Sequence, residues 1–474
     1  MKESSNTYLN RFYWLALRSN IDIIRNTAWS AIEPKAYPFY PESSATRILV
    51  GGDVSLDTEI RILPYLGARA LRGPYDPIHE ITPHQSASVS RVRKAGIIRR
   101  ARNRFLKMFR NIYQNYFLPP EFVPVHDQWE VFRELVHTNF QNPEKIFLPS
   151  IYERFVRFSI TYPSDGSASD YPFTKIASFM KEKDFVLVNL ETPLTRHPRA
   201  YGLFASDPAY AMGLKKAGIS MVSLANNHMF DAGEIGFMDT MEHLSRAGIP
   251  FVGAGKSLDE ARSGRVEVIR GIRIAFLSYT QWCNLDFASI AAEYPGILPM
   301  DRQIMTEDIK AAKKTADYVF VSLHWGLENE PIPDPKQTEI AHHLIDHGAD
   351  AIIGHHAHIP QAIEIYRGRP IFYCLGNLIF GCGDTKWLFD NYLAEIVIDQ
   401  RGIQGVIVHP VSGKNEELFQ PEILKGTRAK VLLRTLQLKS AFFRTGIYIK
   451  EDKGYIRIRD EFPPSQDIPA NIRT

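Results

Sequence analysis

The chain of 474 residues has only three cysteines, Cys283, Cys374 and Cys382. So few, so irregularly spaced, exclude a disulfide framework and a four-cysteine zinc site. Any metal must therefore be held by nitrogen and oxygen. Long apolar runs are missing as well, since each is interrupted within about eight positions where a membrane span needs ~18 to 20 residues. The opening MKESSNTYLNRFYWLALRSN lacks the regions of a secretory signal. Cytoplasmic residence is the expectation, and reduced thiols suit it. Nor is there a large charge of one sign, because 56 Lys and Arg stand against 53 Asp and Glu for a net +3. That balance hides an uneven distribution: residues 91–110 hold nine basic and no acidic residues, which leaves the remainder acidic by six charges. With 45% hydrophobic and 23% charged residues, disordered and collagen-like classes are excluded.

What is present is a series of short apolar runs at 47–53, 184–191, 219–228, 273–279, 318–326, 350–358 and 370–377. Continuous rather than alternating runs predict strands buried on both faces. Helical patterns lie between them, at 235–247 closed by Gly248 and Pro250, and at 335–347 closed by Gly348. The alternation predicts an α/β layered domain over 46–411. It follows an N-terminal extension (1–45) and is interrupted by an insertion over about 64–175. A C-terminal part (412–474) carries a helix over 427–443 and a hairpin turning at Asp452-Lys453-Gly454.

Within the insertion, residues 91–116 predict a basic amphipathic helix with Ile97, Ala101, Phe105, Met108, Ile112 and Tyr116 on one face. Such a helix either packs on the domain or lies on an anionic surface, so peripheral association with a membrane is one expectation. Specific nucleic-acid binding is not expected, because no recognised module accompanies the charge.

The predicted strands end in residues that bind metal or phosphate: Asp53, Glu191, Asn226 to His228, His324, and His355, His356 and His358. Carboxyl ends of strands in an open α/β sheet converge on one edge. Carboxylate, amide and imidazole without thiolate suit Mn, Fe, Zn or Mg. The set exceeds the need of one ion, whereas two divalent ions bridged by a carboxylate would use it fully. Singly, each has a plainer reading: Asp53 as a helix cap, Glu191 as the start of a loop, Asn226 and Asn227 as turn residues, His228 as a hydrogen-bonded histidine. Two imidazoles two residues apart after a buried strand have little packing rationale. His343 and His347 form an H-x-x-x-H pattern, but Leu344 stands where a zincin carries its general base, so they are expected to face solvent. His342 carries no further signal.

GGDVSLD, NLETPLT, SLANNHMFDAG, SLHWGLENE, GHHAHIPQ and YCLGNLIF, in that order, resemble the motif series of the bacterial capsule-synthesis CapA family, associated with poly-γ-glutamate. That family is similar to the calcineurin-like metallophosphatases. The resemblance implies a four-layer αββα sandwich, here with a long helical insertion and a small C-terminal extension, and a dinuclear metal site. It places Asp53 and His358 on the first metal, Glu191 as the bridge, and Asn227, His324 and His356 on the second. His228 would face the substrate, either donating a proton to the leaving oxygen or holding a phosphoryl oxygen. Asp231 either orients that ring or is a turn residue before Gly233. Asn226, His355 and Glu328 would support the ligands or the substrate, and Asn377, with Gly376, would shape a turn at the site's edge.

Two positions depart from the pattern. Ser55 stands where metallophosphatases usually carry a histidine, so the first metal is expected to be held weakly or not at all. Thr58 replaces an arginine that would contact the substrate. The function implied is a dinuclear metal hydrolase of phosphoesterase type, acting on a phosphoester or an anionic polymer such as poly-γ-glutamate. Two alternatives stay open: an assembly component whose metal site binds polymer carboxylates, and an amide hydrolase of that polymer.

Overall fold

The computed structural model describes residues 36, 39, 41–56, 167–197, 204–284, 295–380, 389–399, 401–413 and 420–458. The expected basic helix at 91–116, most of the insertion and of the N-terminal extension, Thr58 and Cys382 lie outside the described residues. In chain order the strands are β1 (Thr46–Ser55), β2 (Phe185–Leu190), β3 (Met221–Ser223), β4 (Phe251–Val252), β5 (Ala254–Gly255), β6 (Arg265–Ile269), β7 (Ile272–Thr280), β8 (Gly296–Ile297) and β9 (Tyr318–His324). There follow β10 (Ala351–His355), β11 (Ile363–Tyr366), β12 (Arg369–Phe372), β13 (Asn377–Phe380), β14 (Asn391–Asp399), β15 (Gly402–Val411), β16 (Tyr448–Lys450) and β17 (Lys453–Arg457). The helices are α1 (Ala177–Lys181), α2 (Tyr210–Ala217), α3 (Gly233–Arg246), α4 (Leu258–Arg262), α5 (Arg302–Ala312), α6 (Pro335–Asp346) and α7 (Gly426–Ala441). Among the described residues, no helix is long and apolar enough to cross a membrane.

Two sheets carry the architecture. One runs β16-β17-β15-β14-β1-β2-β3-β4, with β13 also pairing β1, and the other runs β11-β12-β10-β9-β7-β6. Alternation along the strands gives each sheet two apolar faces. Ile48 and Val50 of β1 and Leu187 of β2 meet Phe276, Phe320, Ile353 and Phe372 of the second sheet in a shared core. The intervening Leu49, Val186 and Val188 face the other way, onto Met180, Leu214, Phe237 and Leu244 of α1 to α3. On the far side Leu277, Val319, Val321 and Ile352 pack under Met305 and Ile309 of α5 and Leu344 of α6. The layers are therefore helix, sheet, sheet, helix. Burying such side chains on both faces stabilises each by about 1.5–3 kcal/mol relative to exposure.

The seven expected runs all contain strand, with the last divided between β12 and the start of β13. Helix α6 begins as its sequence dictates: Pro335 occupies the first turn, and Asp334 and Gln337 form a reciprocal capping box. The C-terminal helix and hairpin form α7 and β16–β17, and β17 pairs β15, so the hairpin extends the large sheet. His343 and His347 are half-buried rather than solvent-facing: His343 lies against Thr306 and Arg302 of α5, at 2.9 Å from each.

The ends of the two sheets are drawn together by the segment after β12. A Cβ on Gly52 would sit 1.8 Å from the Gly376 carbonyl oxygen, and one on Gly354 would sit 2.0 Å from that of Tyr373. Only glycine lets the segment pass this close to both β1 and β10. Its backbone then bonds to both, through Asp53 N–H to Gly376 O at 3.0 Å and Leu375 N–H to Gly354 O at 3.2 Å.

Candidate metal centre

Register puts the polar side chains in rows. Asp53 is paired across the large sheet with Asn189 of β2 on one side and Asn377 of β13 on the other. In the second sheet His324 of β9 is paired with His355 of β10 and Thr280 of β7. Asp53, Asn189, Thr280, His324 and His355 sit at or next to the carboxyl ends of their strands, the edge where ligands bind in α/β sheets, and Asn377 meets them as the first residue of β13. Glu191 follows β2 directly, and Asn226 to His228 follow β3. His356 and His358 hold positive φ angles of 86° and 59°. Non-glycine residues occupy that region at a cost and cluster at functional sites.

Ligand atoms of Asp53, Glu191 and His324 lie within 4.8 Å of one another, and so do those of Glu191, His356 and His358. Glu191 belongs to both triads. Its Oε1 lies 3.6 Å from His324 Nε2 and 3.7 Å from His358 Nε2. The resemblance allots His358 to the cation of Asp53 instead, and His358 Nδ1 lies 3.6 Å from Asp53 Oδ2, within reach of either arrangement. Asn227 Oδ1 completes the group at 2.8 Å from His324 Nε2.

Other side chains hold these in place. Asn189, fully buried, donates to Asp53 Oδ1 at 2.9 Å and accepts from Asn226 Nδ2 at 3.2 Å. His355 Nδ1 lies 3.1 Å from Asp53 Oδ1, and His356 N–H donates to Asp53 Oδ2 at 3.2 Å. Asn377 Oδ1 lies 2.9 Å from His358 Nδ1. Asn226 Oδ1 accepts from the His228 N–H at 3.1 Å, fixing the turn that presents His228. The His228 ring places Nδ1 2.6 Å from Asp231 Oδ2, so of the two readings of Asp231 the geometry favours the one that orients the ring. Phe204 covers that ring at 4.2 Å between centroids, and its N–H donates to Asp231 Oδ2 at 2.8 Å. Trp282, 39% exposed, stands with its ring 6.2 Å from that of His356 and its Nε1 bonded to Gly326 O at 2.6 Å. Glu328 is exposed, and its charge acts on Glu191 and His358.

The electrostatics suit a cation. Burial alone would raise the Asp53 pKa, but His355, His358 and His324 outweigh it and hold the carboxyl well below the usual carboxylate range. Glu191 moves the opposite way, pushed up by burial and by the charge of Asp53. Burial also keeps His324 and His358 below the ordinary imidazole value and takes His356 down to about 3. Neutral imidazoles are the form that ligates metals. Both oxygens of Glu191, Nδ1 of His356 and Nδ2 of Asn377 are buried without a hydrogen-bond partner among the described residues. Buried polar atoms left unpaired cost about 1–3 kcal/mol each, and divalent cations would satisfy the Glu191 and His356 atoms. The residues therefore fit the group. Ser55 is buried, its hydroxyl without a partner among the described residues, and it adds no imidazole.

Besides the aromatic neighbours Phe204 and Trp282, two polar participants escaped the sequence reading. Asn189 had a signal: a polar residue in an apolar strand, two positions before Glu191 and hence on its face. Asn284 had none, lying in the plain stretch QWCNLDF.

A family model described as bacterial capsule synthesis protein PGA_cap matches residues 132–382, just over half of the chain. That stretch holds Glu191 through Asn377 and begins after Asp53. The capsule biosynthesis protein CapA of Bacillus anthracis is 33% identical over 230 residues, 46% of this chain and 56% of the relative. The PGA biosynthesis protein CapA of Bacillus subtilis strain 168 is 31% identical over 286 residues, 59% of this chain and 74% of the relative. The match thus spans little more than half the length of the first relative and about three quarters of the second. Among solved structures, a putative 5'-nucleotidase from Staphylococcus aureus aligns with a TM-score of 0.31 at 14% identity, covering 51% of this chain and 44% of the other. A sulfate thiohydrolase, SoxB, from Thermus thermophilus aligns with a TM-score of 0.37 at 11% identity, covering 80% and 58%.

Proposed function

The chain belongs to the bacterial capsule synthesis family PGA_cap, and from that premise we propose that it is a metal-dependent hydrolase of phosphoesterase type in the metabolism of an anionic polymer such as poly-γ-glutamate. The observation that carries the reading is Glu191, a buried carboxylate shared by two ligand triads, neither of whose oxygens has a hydrogen-bond partner among the described residues. Asp53, Glu191, Asn227, His324, His356 and His358 would hold two divalent ions. Bound there, such ions supply Lewis acidity toward a phosphoryl oxygen and lower the pKa of an attacking water.

The chain's own residues do the rest. Asp231 takes the proton side of His228 Nδ1, which leaves Nε2, 3.9 Å from Glu191 Oε1, as the atom that exchanges a proton with the leaving oxygen. Phe204 shields one face of that ring, so the imidazole cannot turn to another partner. His355 and Asn189 hold Asp53 from behind. Trp282 and Glu328 are exposed beside the ligands, and there the non-reacting part of a substrate would rest.

A second reading rests on the names of the relatives, which are capsule biosynthesis proteins: the same cations would hold polymer carboxylates during assembly. Elemental analysis of the purified chain, paired with hydrolysis of phosphomonoesters, phosphodiesters and polyglutamate, separates the two. Two bound metals with turnover of a phosphoester support the hydrolase. Two bound metals with no turnover on any substrate favour the assembly role.

A further inference from the structure

Asn284 lies beyond β7, in a stretch of sequence without a motif, yet it touches both halves of the candidate centre. Its backbone N–H donates to the Asn227 carbonyl oxygen at 3.2 Å. Its side-chain Oδ1 accepts from Asn227 Nδ2, also at 3.2 Å. Its Nδ2 lies 3.3 Å from Asp231 Oδ1 and 3.3 Å from His228 Nδ1. The second contact cannot be a hydrogen bond of its own. With Nδ1 only 2.6 Å from a carboxylate oxygen, the proton sits between them and the ring nitrogen has no lone pair to offer. Asn284 Nδ2 therefore donates to Asp231.

Each bond has a consequence. An amide side chain binds a cation only through its oxygen, and the two ends of Asn227 are similar in size. By accepting from Asn227 Nδ2, Asn284 fixes the amide so that Oδ1 is the end that points to His324. By donating to Asp231 Oδ1, it fills the second oxygen of a carboxylate whose first is taken by His228 and Phe204.

We infer that Asn284 is a positioning residue that ties the metal-facing carbonyl of Asn227 and the His228–Asp231 pair into one unit. The inference rests on the metal-hydrolase reading above. The chain of contacts runs from His324 through Asn227, Asn284 and Asp231 to His228, whose Nε2 returns to Glu191. Asn284 is the link that lies outside the motifs quoted for the resemblance.

Two substitutions separate this role from a merely structural one. Asn284→Ala removes both side-chain bonds. Asn284→Asp keeps an acceptor for Asn227 but loses the donor to Asp231. In the full chain, calorimetric titration with Mn2+ is expected to show affinity roughly 10- to 100-fold weaker in Asn284→Ala, while Asn284→Asp stays within about threefold of wild type or binds tighter. On p-nitrophenyl phosphate both variants are expected to lose kcat by about 10-fold or more with little change in KM. Loss of stability alone would lower the melting temperature without splitting affinity from turnover. Wild-type Mn2+ affinity in Asn284→Ala, or equal loss of affinity in the two variants, overturns the bridging role alone. A wild-type chain that binds no Mn2+ overturns the reading beneath it and the bridging role as well.

Discussion

His228 Nδ1 and Asp231 Oδ2 meet at 2.6 Å in a buried pair, three residues apart in the chain. The short contact fixes which ring nitrogen faces the site. An amide in place of the carboxylate keeps the shape and weakens the hold on the Nδ1 proton. Asp231→Asn is expected to lower kcat by roughly 10² to 10⁴-fold, the usual contribution of a positioned acid. Mn2+ affinity should be little changed, since Asp231 is outside both ligand triads. Steady-state kinetics beside calorimetric titration check this.

On the proposed reading Glu191 serves a cation and not the fold. Its oxygens have no hydrogen-bond partner among the described residues, and its pKa is pushed up by burial and by Asp53. Glu191→Gln should therefore leave the metal-free chain as stable as wild type, or more stable by up to about 1–3 kcal/mol. The same change should abolish the thermal stabilisation by Mn2+, which in wild type amounts to about 2.7 kcal/mol at a hundredfold excess over Kd. Melting curves with Mn2+ and with a chelator measure both. A metal-free variant far less stable than wild type would count against the assignment.

Away from the site, Glu395 of β14 and His409 of β15 face each other at 2.8 Å, with Lys183 3.1 Å and Arg47 2.7 Å from Glu395. Burial works to raise the Glu395 pKa, but His409 and Lys183 prevail and hold it at about 2. Burial lowers that of His409. Both groups bind protons less readily folded than unfolded, so their contribution is present at neutral pH. It is lost as pH falls, first through the ordinary imidazole value of 6.5 and then from 4.5 toward about 2. Urea unfolding between pH 7 and pH 3 should show falling stability, and Glu395→Gln should flatten the acid limb while lowering stability at pH 7.

Much of this was legible in the chain. Val and Ile runs ending in Asp53, Glu191, His324 and His356 gave both the strands and the candidate ligands, because strands buried on two faces are mostly apolar and the polar residues that close them stand out. The β14–β15 hairpin was not singled out, since NYLAEIVID and GIQGVIVHPV carry no site residue to draw attention to them. Asn284 was invisible for a different reason: its role depends on the approach of the β7 and β3 ends, a long-range contact that periodicity does not encode. The swapped company of His324 and His358 in the two triads likewise depends on how the sheets meet.

How they meet rests on Gly52. A Cβ there would collide with the Gly376 carbonyl at 1.8 Å, whereas one on Gly51 would meet only side chains, at 3.0 Å or more. Gly52→Ala is expected to cost more than about 3 kcal/mol and to impair Mn2+ binding through displacement of Asp53, with Gly51→Ala the milder change. Chemical denaturation of the two variants compares them directly.

The function proposed above requires cations at Glu191 for hydrolysis. The most direct measurement is turnover of p-nitrophenyl phosphate by metal-stripped protein as Mn2+ is added in known ratio. Activity is expected to rise to a plateau near two ions per chain and to be absent in Glu191→Gln. A plateau in binding with no turnover, or turnover undiminished in Glu191→Gln, would contradict it.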